Sequence, residues 1–232
     1  MAMETFLAMT GAEMRKISAL PGKVAWMACH FSPCGRGLSN LPTFLPVGSL
    51  LMVDDRIPPH GHDFAYIADQ LKRFAEQWQC YGILLDFQRA AVEETYAAAE
   101  YLVQHIPCLT VVSEAYAQGL DCPVLLAPVA PSVALKNYIA PWSGREIWLE
   151  LGLDGEILTL TETGCHTAPL PYPDWDAQGF TDEELCCHYH ISTNENSARF
   201  TLWRTKKDIN KLVDAATGLG ITTTVGLYQE LL

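Results

Sequence analysis

Short apolar runs that end in polar groups alternate with helix-like segments through the first part of the chain. Lys23 to Cys29 is apolar and predicts a strand ending at His30-Phe31-Ser32-Pro33. Ser49 to Val53 predicts the next, ending at Asp54-Asp55-Arg56. From about Asp63 to Gln79, Phe64, Ile67, Leu71, Phe74 and Trp78 recur three and four apart, which is one face of a helix, and Asp63 is a suitable N-cap. Gly82 opens a third predicted strand, in which the apolar Ile83, Leu84 and Leu85 give way to Asp86-Phe87-Gln88. Ala90 to His105, rich in alanine and glutamate, predicts a helix that Pro107 ends. Cys108 to Val112 reads as a strand ending in Ser113-Glu114, and Pro123 to Ala127 as another ending in Pro128 and Pro131.

The pattern then changes. Glu146 to Leu153 and Glu156 to Thr161 flank Asp154-Gly155, a strong hairpin signal. Residues 165–180 read as a loop. His188 to Ile191 and Arg199 to Trp203 flank a polar turn and predict a second hairpin. Lys206 to Thr217 predicts a helix closed by Gly218 and Gly220, and Ile221 to Leu227 a last strand ending at Tyr228-Gln229-Glu230. Repeated β–α units imply a parallel sheet. About eight strands facing one axis predict a single compact TIM-type (β/α)8 barrel over residues 1–232, with β-hairpin excursions in the second half. An open doubly wound sheet is the alternative. No GxGxxG follows the first predicted strand, which weakens a dinucleotide-binding version.

Composition narrows the function classes. The 232 residues are 49% hydrophobic and 18% charged, a globular balance, and the formal net charge is −12. No basic patch marks a nucleic-acid partner. No run is long and apolar enough to span a membrane, and Met1 to Leu20 lacks the apolar core of a signal peptide. The eight cysteines form no CxxC pair. These features lead to the expectation of a cytoplasmic protein with reduced thiols, no cofactor, no structural metal and a small-molecule or oligosaccharide ligand.

Candidate chemistry gathers where the predicted strands end, because ligands of parallel α/β folds bind at that end. Asp86 and Gln88 are two residues apart and share a face. Asp54 follows the second predicted strand; either it or Asp55 faces the same mouth while the other pairs with Arg56 or caps a turn. Glu114 and Glu230, together with Asp86, are the carboxyl groups available for acid–base work, and Gln229 is a further polar neighbour. His60 with His62, and His188 with His190, have the spacing of metal pairs. The first pair, behind Pro58-Pro59, reads as a loop, and the second falls on the predicted hairpin, so no metal site is assigned.

The strand Tyr81–Gln88, the barrel-like order and the closing Gly226-Leu-Tyr-Gln-Glu230 resemble glycoside hydrolase family 18, the chitinases and their non-catalytic relatives. The family signature D-x-x-D-x-D-x-E falls on Tyr81, Leu84, Asp86 and Gln88, so one of its four positions is kept. The resemblance implies a (β/α)8 barrel that binds saccharides. It places Gln88 where the family has its general acid. The family mechanism pairs that acid with attack by the substrate's own acetamido group. An amide donates no proton at useful pH, and general acid catalysis is worth roughly 10²–10⁴-fold, so hydrolysis by this route is expected to be lost while binding persists. The family carries the motif on the fourth barrel strand, whereas the apolar pattern makes Gly82–Gln88 the third. As sugar platforms, Trp142 and Tyr228 are the best placed of Trp26, Trp142, Trp148, Trp175, Trp203 and Tyr228. Two other readings remain open: a hydrolase with relocated carboxylates or a histidine-bound metal, and an interaction scaffold.

Overall fold

The computed structural model describes residues 3–17, 19, 23–90, 92–170 and 179–232. Eight parallel strands close into a barrel. In chain order they are Glu4–Met9, Lys23–Phe31, Leu50–Asp54, Gly82–Asp86, Leu109–Ser113, Val124–Leu126, Ile147–Leu151 and Thr223–Leu227. The last pairs in parallel with the first, and the first with the second, which completes the ring. The expected barrel is therefore present, and the open-sheet alternative is not.

The first strand is absent from the sequence reading. Its outer end, Glu4-Thr5, is polar, and only Phe6 to Met9 are buried, too short a run to separate from an ordinary N-terminal segment. Its presence moves Gly82–Asp86 from third to fourth in the barrel order.

Alternation along the strands sorts side chains inward and outward. Phe6, Ala8, Ala25, Leu50, Met52, Leu84, Val111, Leu125, Trp148 and Val225 form one buried cluster inside the barrel. The intervening residues, such as Leu51, Val53, Ile83, Leu85, Val112 and Leu149, belong to a second cluster under the helices. Continuing the inward register two residues past Met52, Leu84 and Trp148 reaches Asp54, Asp86 and Glu150. Apolar layers thus end in a polar layer at the carboxyl mouth. Strands four and five approach so closely that a Cβ on Gly82 would lie 2.6 Å from the Leu109 carbonyl oxygen.

Three long helices cover the outer face, two of them in the first half of the chain. Phe64–Trp78 buries Ile67, Leu71 and Phe74, and its N-cap is Asp63, whose carboxylate accepts from the Ala65 and Tyr66 amides. Glu93–His105 buries Ala98, Ala99 and Leu102. Several other crossovers are single turns, among them Gly11–Met14, Glu114–Ala117 and Leu135–Ile139, as expected for a compact barrel.

The second half corrects two expectations. Asp154-Gly155 is not a hairpin turn. Ile147–Leu151 is the seventh barrel strand, in parallel register with the sixth and eighth. Gly155–Thr161 leaves the barrel and joins a separate antiparallel sheet, in the order Gly164–Pro169, Gly155–Thr161, Ser197–Trp203, Cys187–Asn194, Phe180–Asp182. The Asp-Gly signal is local and carries no information about which sheet each flank joins. Residues 165–180 are not wholly loop either, because Gly164–Pro169 is an edge strand of this sheet; residues 171–178, Trp175 included, lie outside the described residues. The hairpin of Cys187–Asn194 with Ser197–Trp203 forms as expected. Helix Lys206–Gly218 leads back to the eighth strand.

Arg204 joins the two sheets. Its side chain is buried, and its guanidinium donates to the Cys186, Leu185 and Ala130 carbonyls at 3.2–3.3 Å and to the Val129 carbonyl. Val129 and Ala130 follow the sixth barrel strand, while Leu185 and Cys186 precede the sheet strand Cys187–Asn194.

Candidate functional site

The polar layer opens into a cavity of about 500 Å³ at the carboxyl mouth. Its floor is apolar, from Met52, Leu125 and Val225, and its walls carry Asp54, Asp86, Gln88 and Glu150. A second cavity, about 310 Å³, shares Asp86, Gln88, Leu125 and Glu150 with it and extends to Glu114 and Pro128. The position is the one that parallel barrels use for ligands.

Register sets the carboxylates on the third and fourth strands, because Asp54 pairs directly with Asp86 across them. The expectation for the Asp54-Asp55-Arg56 turn resolves into two jobs. Asp54 lines the cavity and is held by Arg56, whose Nε lies 2.9 Å from each carboxylate oxygen. Asp55 is 3% exposed and accepts from the Gln88 and Arg89 backbone amides at 3.0 and 3.1 Å. Asp55 thereby fixes the loop that follows the fourth strand. Within that loop the Gln88 side-chain amide donates to Asp86 Oδ1 at 2.9 Å.

Burial raises the Asp86 carboxyl above the ordinary carboxylate range. The Gln88 hydrogen bond opposes the rise, and the negative charges of Asp54 and Asp55 add to it. Among the carboxyl groups the largest rise falls on Glu150, on the seventh strand. Burial, then the charges of Asp86, Asp154 and Glu230, push it up to about 7. Glu114, at the start of its single-turn helix, has the Tyr138 hydroxyl 3.3 Å from both carboxylate oxygens. Burial and the Glu114 charge raise the Tyr138 phenol in turn.

Of the residues expected from sequence, Asp54, Asp86, Gln88 and Glu114 thus come together. The others lie elsewhere. Glu230 accepts from the Leu153 amide at 2.9 Å and lines a different cavity, of about 430 Å³, with Leu7, Leu151 and Ile209. Gln229 donates to Glu13 Oε1 at 2.6 Å. Tyr228 packs against the cluster of Leu7, Met9 and Val24. Trp142 ends the turn Ala140–Trp142 and carries the Arg145 guanidinium 5.5 Å from its ring. Trp148 and Trp203 are buried.

Sequence reasoning missed Glu150 and Tyr138. A signal for Glu150 exists, since it is a lone carboxylate between Leu149 and Leu151 in an apolar strand. Reading that strand as a hairpin arm hid its orientation toward the barrel axis.

The histidine pairs do not converge. His62 lies against the Ser32 carbonyl, Nε2 to oxygen 3.0 Å, while His60 faces Glu94. His188 is paired with the buried Asp208 through Nδ1 at 2.7 Å, and both His188 and His190 lie over Trp203. Among the described residues no three His, Cys, Asp or Glu side chains form a group able to hold a metal ion, and no helix is long and apolar enough to cross a membrane.

In sequence, neither a protein-family model nor a curated protein matches this chain. Solved structures do match it in three dimensions. A class V chitinase from Nicotiana tobaccum superposes with a TM-score of 0.65 over 98% of this chain and 94% of that one, at 10% identity. A Glu-to-Gln mutant of that chitinase, solved in complex with NAG4, gives the same TM-score, 0.65, at 11% identity over 98% and 94% of the two chains. The barrel is similar in fold to family 18 chitinases over nearly the full chain. A chitinase-like agglutinin from Robinia pseudoacacia shares this barrel at a TM-score of 0.61 and 13% identity, over 98% and 95% of the two chains. The spore cortex-lytic enzyme SleL of Bacillus megaterium shares it at 0.57 and 10% identity, over 97% of this chain and 70% of its own.

Proposed function

We propose that this chain is a saccharide-binding barrel of family 18 type whose hydrolytic activity by the family mechanism is lost. The observation that carries the reading is the Gln88 amide bonded to Asp86 at the end of the fourth barrel strand. In this reading Gln88 stands where the family has its general acid. The amide keeps the hydrogen-bonding shape of the acid and cannot release a proton. The mouth retains what binding needs: an apolar floor, side-chain acceptors on the walls and one amide donor. Two of the structural neighbours support a binding role, one a chitinase-like agglutinin and the other a chitinase in complex with NAG4 that carries glutamine in place of a glutamate.

An array of immobilised saccharides tests this directly. Binding to one saccharide class, reduced by Asp86→Ala, with no product released from N-acetylglucosamine oligomers, is the expected result. Absence of binding to every saccharide class would overturn it and favour an interaction scaffold.

A second reading has one observation in its favour. Glu150, raised to about 7 by burial and by the charges of Asp86, Asp154 and Glu230, titrates near neutrality, which suits a general acid. The barrel would then be a hydrolase with relocated carboxylates. Turnover that persists in Gln88→Ala and vanishes in Glu150→Gln would select this reading.

A further inference from the structure

The two joined cavities at the mouth are unbalanced in charge. Their walls carry five carboxyl groups, Asp54, Asp55, Asp86, Glu114 and Glu150, against two guanidinium groups, Arg56 and Arg89. Both arginines are already engaged. Arg56 is clamped on Asp54, and the Arg89 guanidinium donates to the Arg56 carbonyl. Asp55 is satisfied by backbone amides and Glu114 by Tyr138. That leaves Asp86, with the single Gln88 donor, and Glu150. Among the described residues no hydrogen-bond donor reaches Glu150, and neither residue has an ion-pair partner.

Geometry keeps Glu150 apart from Arg56. The barrel order runs one, eight, seven, six, five, four, three, two. The seventh strand, with Glu150, is therefore diametrically opposite the third, whose end is followed by Arg56. Asp86, on the fourth, stands three strands from Glu150 across an apolar floor. A ligand seated on Met52, Leu125 and Val225 would meet a carboxyl group from each side.

Resting on the saccharide-binding reading, we propose that the site selects a saccharide bearing a free amine, of the glucosamine class, over its N-acetylated counterpart. An ammonium brings three donors and a positive charge to two carboxyl groups that have no ion-pair partner. An acetamido group brings one donor and turns a carbonyl acceptor toward acceptors. Burial makes the difference larger, because an unpaired charge in a partly desolvated site is costly and pairing it removes that cost. Burial, with neighbouring negative charges adding to it, raises both Asp86 and Glu150 in the free protein.

The experiment is titration calorimetry of the full chain at pH 7 with glucosamine tetramer and with NAG4. The expected result is an advantage of about tenfold or more for the glucosamine tetramer, the size of one charge-assisted hydrogen bond. The advantage should shrink as salt is added and be lost in Asp86→Asn/Glu150→Gln. The surface control Glu76→Gln/Glu100→Gln, at two exposed helix positions, should keep it. Equal affinity for both tetramers, or a preference for NAG4, overturns the inference and leaves the saccharide reading standing. An advantage lost equally in the surface control also overturns it, as non-specific attraction to an acidic chain. Binding of neither tetramer overturns the inference, and the array decides the saccharide reading separately. Should the double variant not fold, the comparison of the two tetramers on the native chain decides the outcome.

Discussion

Gln88 Nε2 lies 2.9 Å from Asp86 Oδ1, an amide donating to the carboxylate two residues before it at the end of the fourth barrel strand. The pair defines the chemistry of the mouth. The amide supplies a donor that partly offsets the burial of Asp86, and it supplies no acid.

Replacing that amide with an acid should change the reaction. In Gln88→Glu the new carboxyl would face Asp86, and like charges raise the pKa of one of a pair. Native protein is expected to release little or no product from N-acetylglucosamine oligomers. The variant should gain a part of the roughly 10²–10⁴-fold that a general acid contributes, limited by how well the cleft orients the substrate. Product release from short oligomers by both proteins is the measurement. Robust native turnover, unchanged in Gln88→Ala, would place the chemistry elsewhere.

Glu150 should leave a mark on the pH dependence of stability. Its folded pKa, about 7, lies above the ordinary 4.5. Between those values the folded state holds a proton that the unfolded state has released. Stability should therefore fall as pH rises from about 4.5 through 7 and level off above. A shift of this size corresponds to on the order of 3 kcal/mol between the plateaus. Denaturation at a series of pH values should show the slope in the native chain and a flatter profile in Glu150→Gln. An identical profile in the two proteins would refute the assignment.

Arg204 should prove structural. Removing it in Arg204→Ala leaves the Val129, Ala130, Leu185 and Cys186 carbonyls without their buried donor. Losing a buried charged hub of this kind costs about 3–5 kcal/mol. Arg204→Lys should recover only part, because a single ammonium cannot span carbonyls on two sides. Urea denaturation of the three proteins measures this. A loss below about 1 kcal/mol in the alanine variant would contradict it.

Gly82→Ala tests the packing beneath the site. The added methyl would stand 2.6 Å from the Leu109 carbonyl oxygen, a backbone atom. Strands four and five would have to separate, at about 1–3 kcal/mol. The expected result is a lower melting temperature and weaker ligand binding, since Asp86 ends the displaced strand. A melting temperature unchanged from native would show that the strands accommodate the group freely.

The local pattern of the chain was enough for most barrel strands, the three long helices and the pair Asp86/Gln88. Apolar runs with polar ends, helical spacing from Phe64 to Trp78 and the i, i+2 relation are all local properties. They predicted a barrel and one wall of its mouth. The tertiary structure decided what depends on pairing between distant segments. Glu4–Met9 is a barrel strand because it closes the ring between Lys23–Phe31 and Thr223–Leu227, and nothing within those six residues announces the partners. The same holds for Ile147–Leu151, whose parallel neighbours outweigh the adjacent Asp154-Gly155 turn signal. Glu230, Gln229 and Tyr228 left the site because the chain turns into the short helix Tyr228–Leu231 past the eighth strand, and Glu150 joined it through the closing of the barrel. A strand's alternation gives two faces, but only the closed sheet determines which face looks onto the axis.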